Sequence, residues 1–192
     1  MSLWMVRAGK YGEQEATLIE NNIVAIGWNK LPDLFNTKSK ENLKTIYKNI
    51  YPDRSKNLMN SQINQIWRYI NEIKISDIVS LPLKTKNSIL FGIIQGGYQY
   101  KQFAENVKHT RKVKWLKEIS RTEIDQDLLY SFGALLTVCQ IKRNDAEKRI
   151  KQLLSLESRE PKRIEKEEEE IDIETYAQDQ ITKFVNRKFN KI

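Results

Sequence analysis

Three stretches in the middle of the chain restrict its fold more than any others. IVSLPL (78–83), ILFGII (89–94) and HTRKVKWLKEI (109–119) each read as an extended segment. Ser76-Asp77 forms a turn before the first, and LKTKNS makes a hairpin-like link to the second. Short apolar or alternating runs bounded by turn residues are strands rather than helices. LWMVRA (3–8) and IVAIG (23–27) have the same character. About five short strands, the later ones adjacent in sequence, predict a mixed sheet that is strongly bent or closed into a small barrel.

Helical spacing fills the gaps. EQEATLIE (13–20) suits a short helix. Residues 40–50 place Leu43, Ile46, Tyr47 and Ile50 on one helical face, with Ser39 in position to cap. Residues 58–73 repeat the pattern with Met59, Ile63, Ile66, Trp67, Ile70 and Ile73. A short helix is expected over 125–131, and Asn144 to Glu147 should cap a last one running to residue 155. Ile141, Ile150, Leu153 and Leu154 would face the core. The fold class is therefore α+β.

Charge divides the chain. It has 33 Lys/Arg and 25 Asp/Glu in all, of which residues 157–192 hold 8 and 10. Residues 1–156 keep 25 and 15, a net of +10. A basic globular part points to a polyanionic partner, most often nucleic acid. The stretch 157–174 (ESREPKRIEKEEEEIDIE) has no aromatics and dense charge of both signs, which reads as a linker, or in part as a solvated helix. Residues 175–192 regain an apolar face with Tyr176, Ile181, Phe184, Val185 and Phe189. The expected organisation is a domain over 1–156, a charged linker over 157–174 and the first helix of a second domain over 175–192.

One cysteine, Cys139, excludes a disulfide framework, and its place in ALLTVC marks it as buried filler. Arg7 and Lys10 interrupt the apolar start, so no signal peptide is expected. No run approaches the ~20 apolar residues of a membrane span. A soluble, cytoplasmic protein is the expectation.

Catalytic patterns are sparse. Asp53, then Glu72 and Lys74, spell the written signature of a large nuclease superfamily, in which two carboxylates hold Mg²⁺ and a lysine helps activate water. Those nucleases place the second carboxylate and the lysine on a strand beside the first carboxylate, whereas here both are expected to end a helix. His109 is the only histidine, so a histidine metal cluster is excluded and no metal site is expected. Gly96-Gly97 has neither phosphate-loop context and reads as a bulge or tight turn at a strand end.

Aromatic residues remain. Trp67 lies on a helical stripe, and Trp4 and Trp115 lie in strands, so all three read as core. Trp28 differs, because it follows Gly27 at a strand end and enters a polar loop. Tyr98 and Tyr100 have a similar setting and would share a face. Aromatic walls of this kind can stack bases, at about 1–3 kcal/mol each.

The order LWMVRAGKYGE, IVAIGW, QIWRYINEIKISDIV, ILFGIIQGGYQY and HTRKVKWL resembles a PUA-like domain of the EVE branch. Such domains stand at the front of modification-dependent (type IV) restriction enzymes. The arrangement is also similar to YTH domains, which bind methylated adenine in RNA. IETYAQDQITKFVNRKF resembles the opening helix of Mrr-type nuclease domains. The resemblance implies a PUA-like small barrel flanked by helices that binds double-stranded DNA and flips a modified base into an aromatic pocket. Trp28, Tyr98 and Tyr100 would be its walls. Asn29 and the backbone near Gly97 would read the base edge, and His109 and Arg111 would reach the base or its phosphates. Lys30, Lys84, Lys86, Lys101 and Lys108 would contact phosphate. The loop KQFAENVK lacks the second tryptophan of a YTH-type cage, so a tyrosine substitutes or the ligand is not methyladenine.

This fragment would carry no catalysis and no cofactor. An Mg²⁺-dependent endonuclease domain beyond residue 192 would cut, and it would supply any homo-oligomer contact. Competing readings are an RNA-binding PUA-like module, a nuclease acting through Asp53, Glu72 and Lys74, and a protein-interaction domain with incidental charge.

Overall fold

Strands β1 (Leu3–Val6) and β3 (Ile78–Pro82) are buried at every residue, odd and even alike. They run parallel, with Leu3 opposite Ile78. Trp4, Val6 and Val79 join one apolar cluster, while Leu3, Met5 and Ile78 join another. A sheet covered on both faces yields such continuous apolar runs instead of alternation. The computed structural model describes residues 1–155. In it β1 and β3 sit inside a six-stranded sheet of order β2-β5-β4-β3-β1-β6. Its other strands are β2 (Ile23–Ile26), β4 (Ser88–Ala104), β5 (Val107–Ser120) and β6 (Val138–Gln140). All neighbours except β1 and β3 are antiparallel.

Helices α2 (Lys40–Ile50) and α3 (Lys56–Trp67) bring Leu43, Tyr47, Ile63 and Ile66 to the first cluster. Helices α4 (Gln126–Phe132) and α5 (Ala146–Ser155) bring Leu128, Phe132 and Ile150 to the second. Helix α1 (Glu15–Glu20) packs Leu18 with Ala25, Leu81 and Leu83. Ser39 caps α2 as expected, accepting from the Asn42 N–H at 3.1 Å. Helix α3 ends in one wide π turn, Arg68–Glu72, where the Ile73 N–H reaches back to the Arg68 carbonyl.

The sheet is open, so the expected barrel is corrected. The segment around Cys139 is not only filler: it forms β6, which pairs with β1, Trp4 opposite Gln140. Strand β1 then has β3 on one edge and β6 on the other. No edge of β1 is left for β2, which stays at the margin of the sheet. Strand count rises from five to six for the same reason.

The glycine pair needs a second correction. Strand β4 does not end there but continues to Ala104. Ile94 faces Val113 and Tyr98 faces Arg111, so β4 carries two extra residues across Gln95–Gly97. The bulge reading holds and the strand-end placement does not. A further irregularity puts Gly92 opposite Trp115, where a Cβ on Gly92 would lie 2.7 Å from the Lys114 carbonyl oxygen and 2.9 Å from the indole. The linker over 157–174 and the helix over 175–192 lie outside the described residues. No described helix is long and apolar enough to cross a membrane.

Candidate functional site

The structure brings Trp28, Tyr98, Tyr100 and His109 to one region of the β2-β5-β4 side, with unequal access. Both tyrosines flank His109, at ring separations of 6.0 and 5.1 Å, so they do share a face. Tyr98 is only 7% exposed, whereas Tyr100 is 41% exposed. The Tyr98 hydroxyl accepts from the Leu34 N–H at 3.1 Å and lies 2.8 Å from His109 Nδ1. Burial pushes its phenol far above the ordinary range. Tyr98 therefore ties the loop before α2 to the sheet and is not an open wall.

His109 is fully buried. Burial is the first cause that lowers its pKa, and the backbone of Leu31 and Trp28 opposes the shift. Its Nε2 makes no hydrogen bond within normal geometry. Trp28 occupies the left-handed region at φ +60°, which is rare for an aromatic residue. Its carbonyl accepts from the Leu31 N–H at 2.8 Å, and its indole N–H reaches Gln62 Oε1 at 3.2 Å. Tyr47 donates to the same Gln62 oxygen. Trp28 is thus half-buried against α3.

Arg111 is also buried, without a carboxylate in hydrogen-bond contact. Its guanidinium donates to the carbonyls of Tyr69 (2.7 Å), Ile70 (3.0 Å) and Gly96 (3.2 Å). The π turn leaves the first two carbonyls available, and the β4 bulge presents the third. Arg111 consequently fastens the end of α3 to the sheet. Gly97, Tyr98 and Arg111 line a small depression of about 340 Å³ with Phe35 and Lys74.

A larger hollow lies elsewhere, at about 980 Å³. It is walled by the loop between β1 and α1, by Gly27 and Asn29 after β2, by Lys84, and by the β4–β5 turn. Its size suits a small-molecule or nucleobase ligand. Gln14 donates to the Asn106 carbonyl at 3.0 Å, and the Asn29 amide reaches Asn106 Oδ1 at 3.4 Å. Asn29 Oδ1 is buried and has no partner. No atom lies within 4 Å of where a Cβ on Gly27 would stand. Arg7, Lys10, the carboxylates Glu13 and Glu105 and the exposed ring of Tyr11 also line it, along with Leu135 at 96% exposure.

Glu15 holds this hollow in shape. It is 3% exposed and accepts from the Lys84 N–H (2.6 Å), the Thr85 N–H (3.3 Å) and the Thr85 hydroxyl (2.5 Å). The start of α1 is thereby clamped to the β3–β4 link. Gly12, at φ +83°, permits the contact: a Cβ there would lie 2.5 Å from Glu15 Oε1.

Of the sequence-derived set, Asn29 and Lys84 line the large hollow, Gly97, Tyr98 and Arg111 the small one, and Trp28, Tyr100 and His109 neither. Lys30 is exposed, Lys108 half-buried, Lys86 paired with Glu118 at 3.0 Å, and Lys101 over the Phe103 ring at 5.0 Å. Sequence reasoning missed Arg7, Tyr11, Gln14 and Asn106. The signal available for the first two was RAGKYG, a glycine-bracketed basic loop directly after a strand. Asp53 is exposed in the turn after α2; Glu72 lies 4.0 Å from Arg68, and Lys74 donates to the Asn71 carbonyl. No group of three or more His, Cys, Asp or Glu among the described residues could hold a metal ion.

The profile of a family described as "Domain of unknown function (DUF8426)" matches residues 4–141. A search of the curated proteins finds no match.

Proposed function

We propose, for a chain that belongs to this family of unknown function, that residues 1–156 read a modified base in DNA by drawing it out of the duplex into the 980 Å³ hollow. The observation that carries the reading is Asn29, whose Oδ1 is buried without a partner in the wall of that hollow. An unpaired buried acceptor costs about 1–3 kcal/mol. When the Asn29 amide turns this oxygen into the hollow, an incoming base amine removes that cost. Gly27 leaves room for a flat ring, and Tyr11 offers a stacking surface at the rim. The net charge of +10 over residues 1–156 supplies sequence-independent attraction to phosphate. That attraction offsets the few kcal/mol needed to unstack a base. The choice of a modified base in DNA rests on the resemblance of residues 3–118 to the EVE branch and of 175–192 to the Mrr-type opening helix. Cleavage, in this reading, belongs to that nuclease domain with its Mg²⁺.

The proposed pocket keeps Asn29 from the sequence-derived set and adds Gln14, Tyr11 and Asn106. It is tested with duplexes carrying 2-aminopurine beside methyladenine, methylcytosine or hydroxymethylcytosine. Extrusion unstacks the probe, and its fluorescence rises severalfold with one of them. Asn29→Ala is expected to keep salt-dependent binding and lose the rise. A flat signal from the unaltered protein at saturation, with all three duplexes, refutes extrusion.

A further inference from the structure

A second hollow of about 570 Å³ adjoins the first and shares Arg7, Lys84 and Leu135 with it. Its wall holds four cations, Arg7, Lys84, Lys86 and Arg121, and no carboxylate. Lys86 is neutralised by Glu118. Arg7, Lys84 and Arg121 form no ion pair among the described residues. Arg7 is half-buried, yet its Nε has no hydrogen-bond partner, and its Nη2 makes only a long 3.5 Å contact to the Phe132 carbonyl. Burial is the first cause lowering the Arg7 pKa; Cys139 opposes it, and the charge of Arg121 adds to the lowering. Arg7 and Arg121 therefore stand on one wall that holds no carboxylate, with the Arg7 Nε unpartnered. A doubly bonding oxyanion suits both, because a guanidinium presents paired N–H donors to phosphate oxygens.

We infer that this hollow is a phosphate seat, formed by Arg7 and Arg121 with Lys84 at its border to the larger hollow. It rests on the proposed reading for one point only: in that reading the phosphate is a backbone phosphodiester of the DNA whose base enters next door. Free phosphate has the same chemistry, so the test separates the two sources.

The 192-residue protein is titrated with inorganic phosphate and, separately, with an unmodified duplex, while the arginine Nε–H signals are followed by NMR. Arg7→Lys identifies the Arg7 signal. Arg121→Gln, on a half-exposed side chain, serves as a variant with little risk to folding. The Arg7 signal is expected to shift with the duplex, and Arg121→Gln to weaken duplex binding about tenfold at low salt. It should also reduce the slope of log K against log salt by about one. Shifts with inorganic phosphate alone support the seat and assign it to free phosphate. No shift with either probe, or an unchanged salt slope together with unchanged phosphate binding in Arg121→Gln, overturns it. The unmodified duplex makes this outcome independent of base discrimination, so the seat can stand where the reader fails.

Discussion

Replacing Glu15 by alanine should destabilise the protein and loosen the proposed base pocket together. The carboxylate is 3% exposed and accepts three hydrogen bonds from Lys84 and Thr85. Bonds to a charged group contribute about 1.5–3 kcal/mol each. Lys84 and Thr85 are exposed, so water takes over part of the loss. A net fall of about 3 kcal/mol follows, or roughly 6–12 °C in Tm for a chain of this size. Glu15→Gln keeps one carboxyl-type oxygen and should lose about half as much. Gly12→Ala tests the same contact from the other side, because its Cβ would meet Glu15 Oε1 at 2.5 Å. Its cost should shrink when Glu15 is already alanine. Thermal melts and a duplex titration on the four variants measure both effects. A loss below about 1 kcal/mol in Glu15→Ala, or strict additivity with Gly12→Ala, refutes the clamp.

His109 makes stability depend on pH. Its folded pKa lies below the unfolded value of about 6.5 because the ring is buried. Between the two values the unfolded chain binds more protons. The stability is complete above pH 6.5 and is lost as pH falls toward the folded pKa. Melts at pH 7.5 and 5.5 should show the drop, His109→Gln should abolish it, and an equal drop in both proteins contradicts the assignment. Gly92→Ala should cost several kcal/mol, because its Cβ meets backbone at Lys114 and the face of Trp115. Urea denaturation measures it, and a near-neutral result contradicts the packing at that bulge.

The helices over 40–50 and 58–73 were legible because their apolar spacing, and for the first its Ser39 cap, act locally. The strands were legible as segments, yet their ends were not. Strand β4 runs through Gly96-Gly97 because pairing with β5 continues beyond the bulge, and such pairing is a long-range property. Strand β6 was hidden for the same reason: VCQ is too short to announce itself, and only the free edge of β1 makes it a strand. The two tyrosines flank His109, as their alternation along an extended segment implies. Their openness was not legible. Tyr98 and Arg111 are buried by contacts with Leu34, Tyr69 and Ile70, which are distant in sequence. Asn29 lines the larger hollow because it follows closely on β2. Gln14, Asn106 and Arg121 carry no local signature; three separate connections bring them to the hollows.

The most direct measurement is a titration of the protein with matched duplexes. They carry no modification, methyladenine, methylcytosine, hydroxymethylcytosine or glucosylated hydroxymethylcytosine, and RNA of the same sequence is run beside them. A base reader binds one modified duplex at least about tenfold tighter than the unmodified one, and the ratio survives added salt while both affinities fall. Equal affinity for every DNA, or tighter binding to the RNA than to any of them, contradicts modified-base recognition in DNA.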